Sequence, residues 1–254
     1  WAKVKYDGQA DPPPDRKVAR LPHSFTEFEL YRQWLITTGF GAETPWGSPA
    51  LLVDASRIEG VVSTVRLHQA DLARLRPLVG LLREAGIAPT EARVTGSIAA
   101  GVNHSESDID VVLSLDTASV ARARRTLMSA FAKGVLVPPS VSSTWRALER
   151  TGRPASELAR EGRFVETFVV ATTGARCSLI YVAPDHHMPC FSQRPRTIRR
   201  GVWEGLVVDA TQANYKPGRV VVTAGGRDVT LLCWHKLAGL VRTGDHVRAC
   251  GTLC

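Results

Sequence analysis

The sequence predicts an α/β (α+β) core, a mixed sheet flanked by helices, followed by a small all-β module. Three observations carry this. Apolar residues recur at helical spacing on either side of two short strands in the middle of the chain. A second β-rich pair follows, split by Thr173-Gly174 in the manner of a hairpin. Beyond residue 200 the texture changes to short strands separated by Gly and Pro pairs.

In chain order, residues 1–60 read as an extension. Asp11-Pro12-Pro13-Pro14-Asp15 is an extended spacer. Ser24 and Thr26 precede Glu27, Phe28, Leu30, Trp34 and Leu35, the pattern of a capped amphipathic helix, and 39–49 reads as a Gly/Pro loop. Residues 61–192 form the core. Leu67, Leu72, Leu75, Leu78, Leu81 and Leu82 give 62–86 a helical period, and Pro77 breaks it in two, the second helix running from about Pro77 to Ala85 before Gly86. Arg93-Val94-Thr95 and 109–115 are strands. Val120, Ala123, Leu127, Ala130 and Phe131 share one face of a helix over 117–133. A short strand at 135–137, a polar helix over 146–161, and strands at 164–172 and 176–182 complete the core. Arg194, Arg196, Arg199 and Arg200 lie in a basic loop, read as a solvated linker with phosphate contact as the alternative. Residues 201–254 form the all-β module, with strands at 203–209, 219–224, 228–234 and 246–251.

Composition narrows the function. With 254 residues, 44% of them hydrophobic and 22% charged, the chain can bury a core, and global disorder is excluded. No apolar run approaches the roughly 20 residues of a membrane span. Lys3, Lys5 and Asp7 interrupt any apolar stretch at the start, so no secretory signal is read there. Five cysteines without a CxxC pair read as reduced thiols, which points to a cytoplasmic protein. The net charge of +8 favours polyanionic partners, nucleotides or nucleic acid, unless it reflects only an Arg-rich composition.

The informative segment runs Val94-Thr95-Gly96-Ser97, ten residues, then Asp108-Ile109-Asp110-Val111-Val112. Residues i and i+2 of a strand face the same side, so Asp108 and Asp110 present two carboxylates together. Such a pair repels itself unless a cation sits between, and Mg²⁺ (or Mn²⁺) suits carboxylate and phosphate oxygens. Gly96 permits close approach of the backbone. Ser97 and the amides after it are placed to hold phosphates, and Ser107 joins Gly96 and Ser97 as a nucleotide-binding candidate. The ensemble is that of a phosphoryl-transfer site.

These residues resemble the DNA polymerase β-like nucleotidyltransferase superfamily over about 78–115. Within it the chain looks most like archaeal-type nucleotidyltransferase domain proteins, which share the Val-Thr-Gly-Ser…Ser-Asp-Ile-Asp core and a C-terminal signature that here reads Gly239-Leu240-Val241-Arg242-Thr243-Gly244-Asp245-His246-Val247. The resemblance implies an enzyme that transfers a nucleoside monophosphate from an NTP to an acceptor hydroxyl. Gly96 and Ser97 would contact the triphosphate, and Asp108 and Asp110 would be catalytic and ligate Mg²⁺. It also implies a third acid on a later strand. The strand expected to carry it, 176–182, has none, and Ser178 or Cys177 stands in its place, with Glu166 as the substitute. The alternative is a weak or inactive nucleotidyltransferase fold that binds RNA or DNA. The last module looks like an OB-fold, with Trp203, Tyr215 and Trp234 available for stacking or for its core. Asp185-His186-His187 with Cys190 fits no common zinc spacing and reads as a polar loop, and His104 reads as an exposed turn residue.

Overall fold

The computed structural model describes residues 6–7, 19–20, 41–43, 51–53, 69–88, 91–99, 107–139, 166–184, 199–233 and 236–253. The expected helices at 24–35 and 146–161 lie outside them, as do His104, Asp185, His186, His187, Cys190, Arg194, Arg196 and Trp234. Two short antiparallel ladders come first, β1 (Tyr6–Asp7) with β2 (Ala19–Arg20) and β3 (Gly41–Glu43) with β4 (Leu51–Val53). The second corrects the expectation of a plain loop over 39–49, since Gly41–Glu43 is paired.

Helices α1 (Gln69–Arg74) and α2 (Arg76–Glu84) are separated at Leu75. Pro77 sits in the first turn of α2, where a missing N–H costs nothing, so the expected break falls within two residues of its predicted place. Strand β5 (Ala92–Thr95) leads into a single helical turn, α3 (Gly96–Ala99). Then follow β6 (Ile109–Ser114), α4 (Thr117–Ala132), β7 (Leu136–Val137), β8 (Thr167–Val170) and β9 (Arg176–Val182). The Asp116 carboxylate caps α4 by accepting from the Ser119 N–H at 2.6 Å, and this bond holds its carboxyl below the usual range.

The five strands order as β5-β6-β9-β8-β7. β6 and β9 run parallel while the other pairs are antiparallel, so the sheet is mixed as expected. Alternation divides it cleanly. Val94, Ile109, Val111, Leu113, Cys177, Leu179, Tyr181, Phe168 and Val170 are buried on one face and form one cluster with Leu75, Leu78 and Leu82 before and in α2 and with Val120, Ala123, Leu127 and Ala130 of α4. The opposite face carries Thr95, Asp110 and Ser178 in register.

The C-terminal module is a four-stranded antiparallel sheet of β10 (Arg199–Gln212), β11 (Gly218–Ala224), β12 (Arg227–Cys233) and β13 (His246–Leu253), ordered β12-β11-β10-β13. Arg199 and Arg200 belong to β10, so the basic segment expected as a loop is partly strand. Among the described residues this sheet is open and has four strands, one fewer than an OB barrel uses. Gly205 is forced by packing, because a Cβ there would lie within bonding range of the Thr223 carbonyl. The Gly239–Val247 signature forms a clasp: Gly244 N–H donates to Val207 O at 2.9 Å, and Val207 N–H donates to Asp245 O at 2.8 Å. The module leans on the core through Tyr215, whose hydroxyl donates to Leu115 O at 3.0 Å, and through Lys216 N–H to Tyr181 O at 3.0 Å. Tyr215 is thus a buried joint rather than a stacking platform, and Trp203 is half-buried against Gly201 and Gly251.

Candidate functional site

Strand alternation puts Asp108 and Asp110 on the face of the mixed sheet away from the α2/α4 core. Ile109 between them is fully buried, Asp108 is exposed and Asp110 is half-buried. The antiparallel ladder pairs Thr95 with Asp110, which brings the end of β5 and the turn at Gly96 against the start of β6. Gly96 has φ +71°, and a Cβ added there would sit 2.5 Å from Asp110 Oδ2. The left-handed backbone favours glycine here, and a Cβ would push the Asp110 carboxylate aside.

Ser97 lies in α3, and its side chain is outside the described residues. Ser107 is buried, 8% exposed, whereas Asp108 next to it is exposed. Ser107 lies directly before the acid pair, at the entry to β6.

Glu166, expected as the substitute acid beside the pair, is held elsewhere. Its carbonyl accepts from Leu179 N–H at 2.8 Å, which sets it opposite a core residue. Its carboxylate forms a buried ion pair with Arg124 of α4, on the helix side of the sheet. A carboxylate on that face cannot share an ion with Asp110. The Arg124 Nη2 also donates to Gly239 O at 3.3 Å, which ties the core to the C-terminal module. Burial pulls the Arg124 guanidinium down to about 10, still a cation at neutral pH.

The residue that does face Asp110 across β9 is Ser178, 5% exposed. Its Oγ lies 3.3 Å from Thr167 Oγ1, in register on β8. A polar row Thr95–Asp110–Ser178–Thr167 thus crosses four strands. Cys177 points the other way into the core, its Sγ donating to Ala175 O at 3.7 Å. Burial pushes its thiol up to about 12, with Arg74 opposing and Asp108 and Asp110 adding to the shift. Cys177 is therefore an inert core thiol.

Among the described residues no group of three or more His, Cys, Asp or Glu side chains is placed to hold a metal. The site offers two carboxylates on one face, an incomplete oxygen set of the kind Mg²⁺ accepts when substrate phosphates and water supply the rest. Among the described residues no helix is long and apolar enough to cross a membrane. No family model, no curated protein and no solved structure matches the chain.

Proposed function

We propose that the chain is a nucleotidyltransferase that moves a nucleoside monophosphate from an NTP to an acceptor hydroxyl. The observation that carries this reading is the packing of Asp110 onto Gly96, with Asp108 beside it on the same face. Asp108 and Asp110 would hold Mg²⁺ or Mn²⁺, which when bound offsets phosphate charge and orients the triphosphate. Gly96 keeps the backbone against the carboxylate, so that Asp110 is fixed before substrate arrives. The acceptor oxygen attacks the α-phosphorus, the α–β bridging P–O bond breaks, pyrophosphate leaves with that electron pair, and the hydroxyl proton passes to solvent.

Incubation with labelled NTPs, Mg²⁺ or Mn²⁺ and RNA or DNA ends tests it. Label transfer that disappears in Asp108→Ala and Asp110→Ala supports the reading, while transfer that survives both contradicts it. One observation favours the second reading, a weak or inactive fold that binds nucleic acid: a hydroxyl, Ser178, stands where a third carboxylate would complete the site. Nucleic-acid binding equal in wild type and both Asp variants, with no transfer, is its signature. The net charge of +8 supports polyanion binding under either reading.

A further inference from the structure

The parallel pairing of β6 with β9 sets successive pairs alternately on the acid-bearing face and the core face. Asp110 is in register with Ser178, and Ile109 with Cys177. Arg176 precedes Cys177 as Asp108 precedes Ile109, so continuing this register by one residue would bring Arg176 beside Asp108. Neighbouring strands lie about 4.8 Å apart, well within the reach of an arginine side chain. Arg176 is exposed, and its alternation with Cys177 places it on the acid-bearing face. Among the described residues neither Arg176 nor Asp108 has an ion-pair partner. A guanidinium and a carboxylate at the ends of neighbouring strands would together suit a ligand that carries charges of both signs.

The second pair is as informative. A two-ion clamp needs carboxylates able to reach both ions. Opposite Asp110 the chain supplies Ser178, a buried hydroxyl already engaged with Thr167. Glu166, the nearest acid on β8's own segment, is held on the other face by Arg124. β6 is therefore the acidic half of the site and β9 the basic half.

We propose that this site binds a nucleoside triphosphate with a single divalent cation, held by Asp108 and Asp110, and that Arg176 binds the polyphosphate where a second ion would otherwise lie. The inference rests on the nucleotidyltransferase reading and specifies its ligand: one cation leaves much of the triphosphate charge unmatched, and the planar guanidinium matches phosphate oxygens through paired N–H donors. When the α–β bond breaks, the charge that gathers on the departing pyrophosphate meets a fixed cation. Arg93 shares the face but is in register with Val112, one row farther along β6, so it serves as an internal control for diffuse electrostatics.

Equilibrium dialysis of the full chain with Mn²⁺ and a non-hydrolysable nucleoside triphosphate tests this. Wild type takes up one Mn²⁺ per chain at saturating nucleotide. Arg176→Ala weakens nucleotide binding by about tenfold or more, as expected for loss of a charge-assisted contact, while Arg93→Ala changes it by less than about threefold. Arg176→Lys, which keeps the charge without the fork, falls between wild type and alanine. Uptake of two Mn²⁺ per chain overturns the proposal, as does an Arg176→Ala affinity within about twofold of wild type or an equal loss in Arg93→Ala. Binding that is lost in Asp108→Ala yet kept in Arg176→Ala defeats this inference alone. A wild-type chain that binds no nucleotide defeats the nucleotidyltransferase reading beneath it.

Discussion

The two sheets of this protein use their second faces differently. In the mixed sheet, one face is sealed by α2 and α4 around Phe168, Tyr181 and Leu113, all at 1% exposure or less, and the other carries the Thr95–Asp110–Ser178–Thr167 row. In the C-terminal sheet, the inner core is small, Val207, Ala213, Val220 and Val222, and the outer face shows Val202, Leu206 and Val208 to solvent. A carboxylate pair repels itself, so the strands that hold it need a deep core behind them. The mixed sheet has that core; the C-terminal sheet borrows stability from its neighbour through Tyr215 and Gly239. Exposed apolar side chains are ordinary on any protein, and they do not mark the site.

Substitutions can break this contrast at graded strengths. Phe168→Ala removes a fully buried aromatic behind the acid row and costs about 3–5 kcal/mol in denaturant unfolding. Arg124→Ala leaves the Glu166 charge buried and uncompensated, at a cost of about 3–5 kcal/mol, whereas an Arg124→Met, Glu166→Leu double replacement regains most of it. A double variant as unstable as the single one would show that the pair does more than balance charge. Tyr215→Phe deletes the hydroxyl bond to Leu115 O and costs about 1 kcal/mol, and the C-terminal sheet becomes the first part to exchange its amides. Glu204→Gln breaks an exposed pair with Arg248 and stays within about 1 kcal/mol of wild type.

Much of the mixed sheet was legible because its strands alternate strictly. Asp108, Asp110 and the buried Ile109 between them follow from period-2 patterning alone. Glu166 reads as a substitute acid, yet its parity with Phe168 and Val170 points elsewhere: a residue two before a buried phenylalanine on one strand faces the same core. Ser178 could be proposed but not fixed against Cys177, because choosing between adjacent residues requires the register with β6, which is a long-range pairing. The role proposed for Arg176 has no signal in the sequence, because an arginine opening a strand looks like any solvated end until β6 and β9 are paired. The four-stranded C-terminal sheet shows the same limit, since strand positions were readable but barrel closure depends on which edges meet.

The buried hydroxyl and thiol of the mixed sheet sharpen the comparison by pH. Cys177 rises from the ordinary 9.0 and Tyr181 from 10.0, each to about 12, both because burial disfavours the charged form. The folded state therefore holds these protons longer than the unfolded chain does. Their contribution is fully present below pH 9 and declines as the pH climbs toward about 12. Thiol labelling should follow suit: among the described cysteines, Cys250, exposed on β13, reacts before Cys233, and Cys177 reacts only on unfolding.

The most direct test of the proposed site asks where a divalent cation binds rather than how many bind. Mn²⁺ added with a non-hydrolysable nucleoside triphosphate should broaden the backbone amide signals of Gly96, Asp108, Ile109 and Asp110 before any others, and the effect should vanish in Asp108→Asn, Asp110→Asn. Broadening that centres on the C-terminal sheet, or that persists in the double variant, would contradict the account.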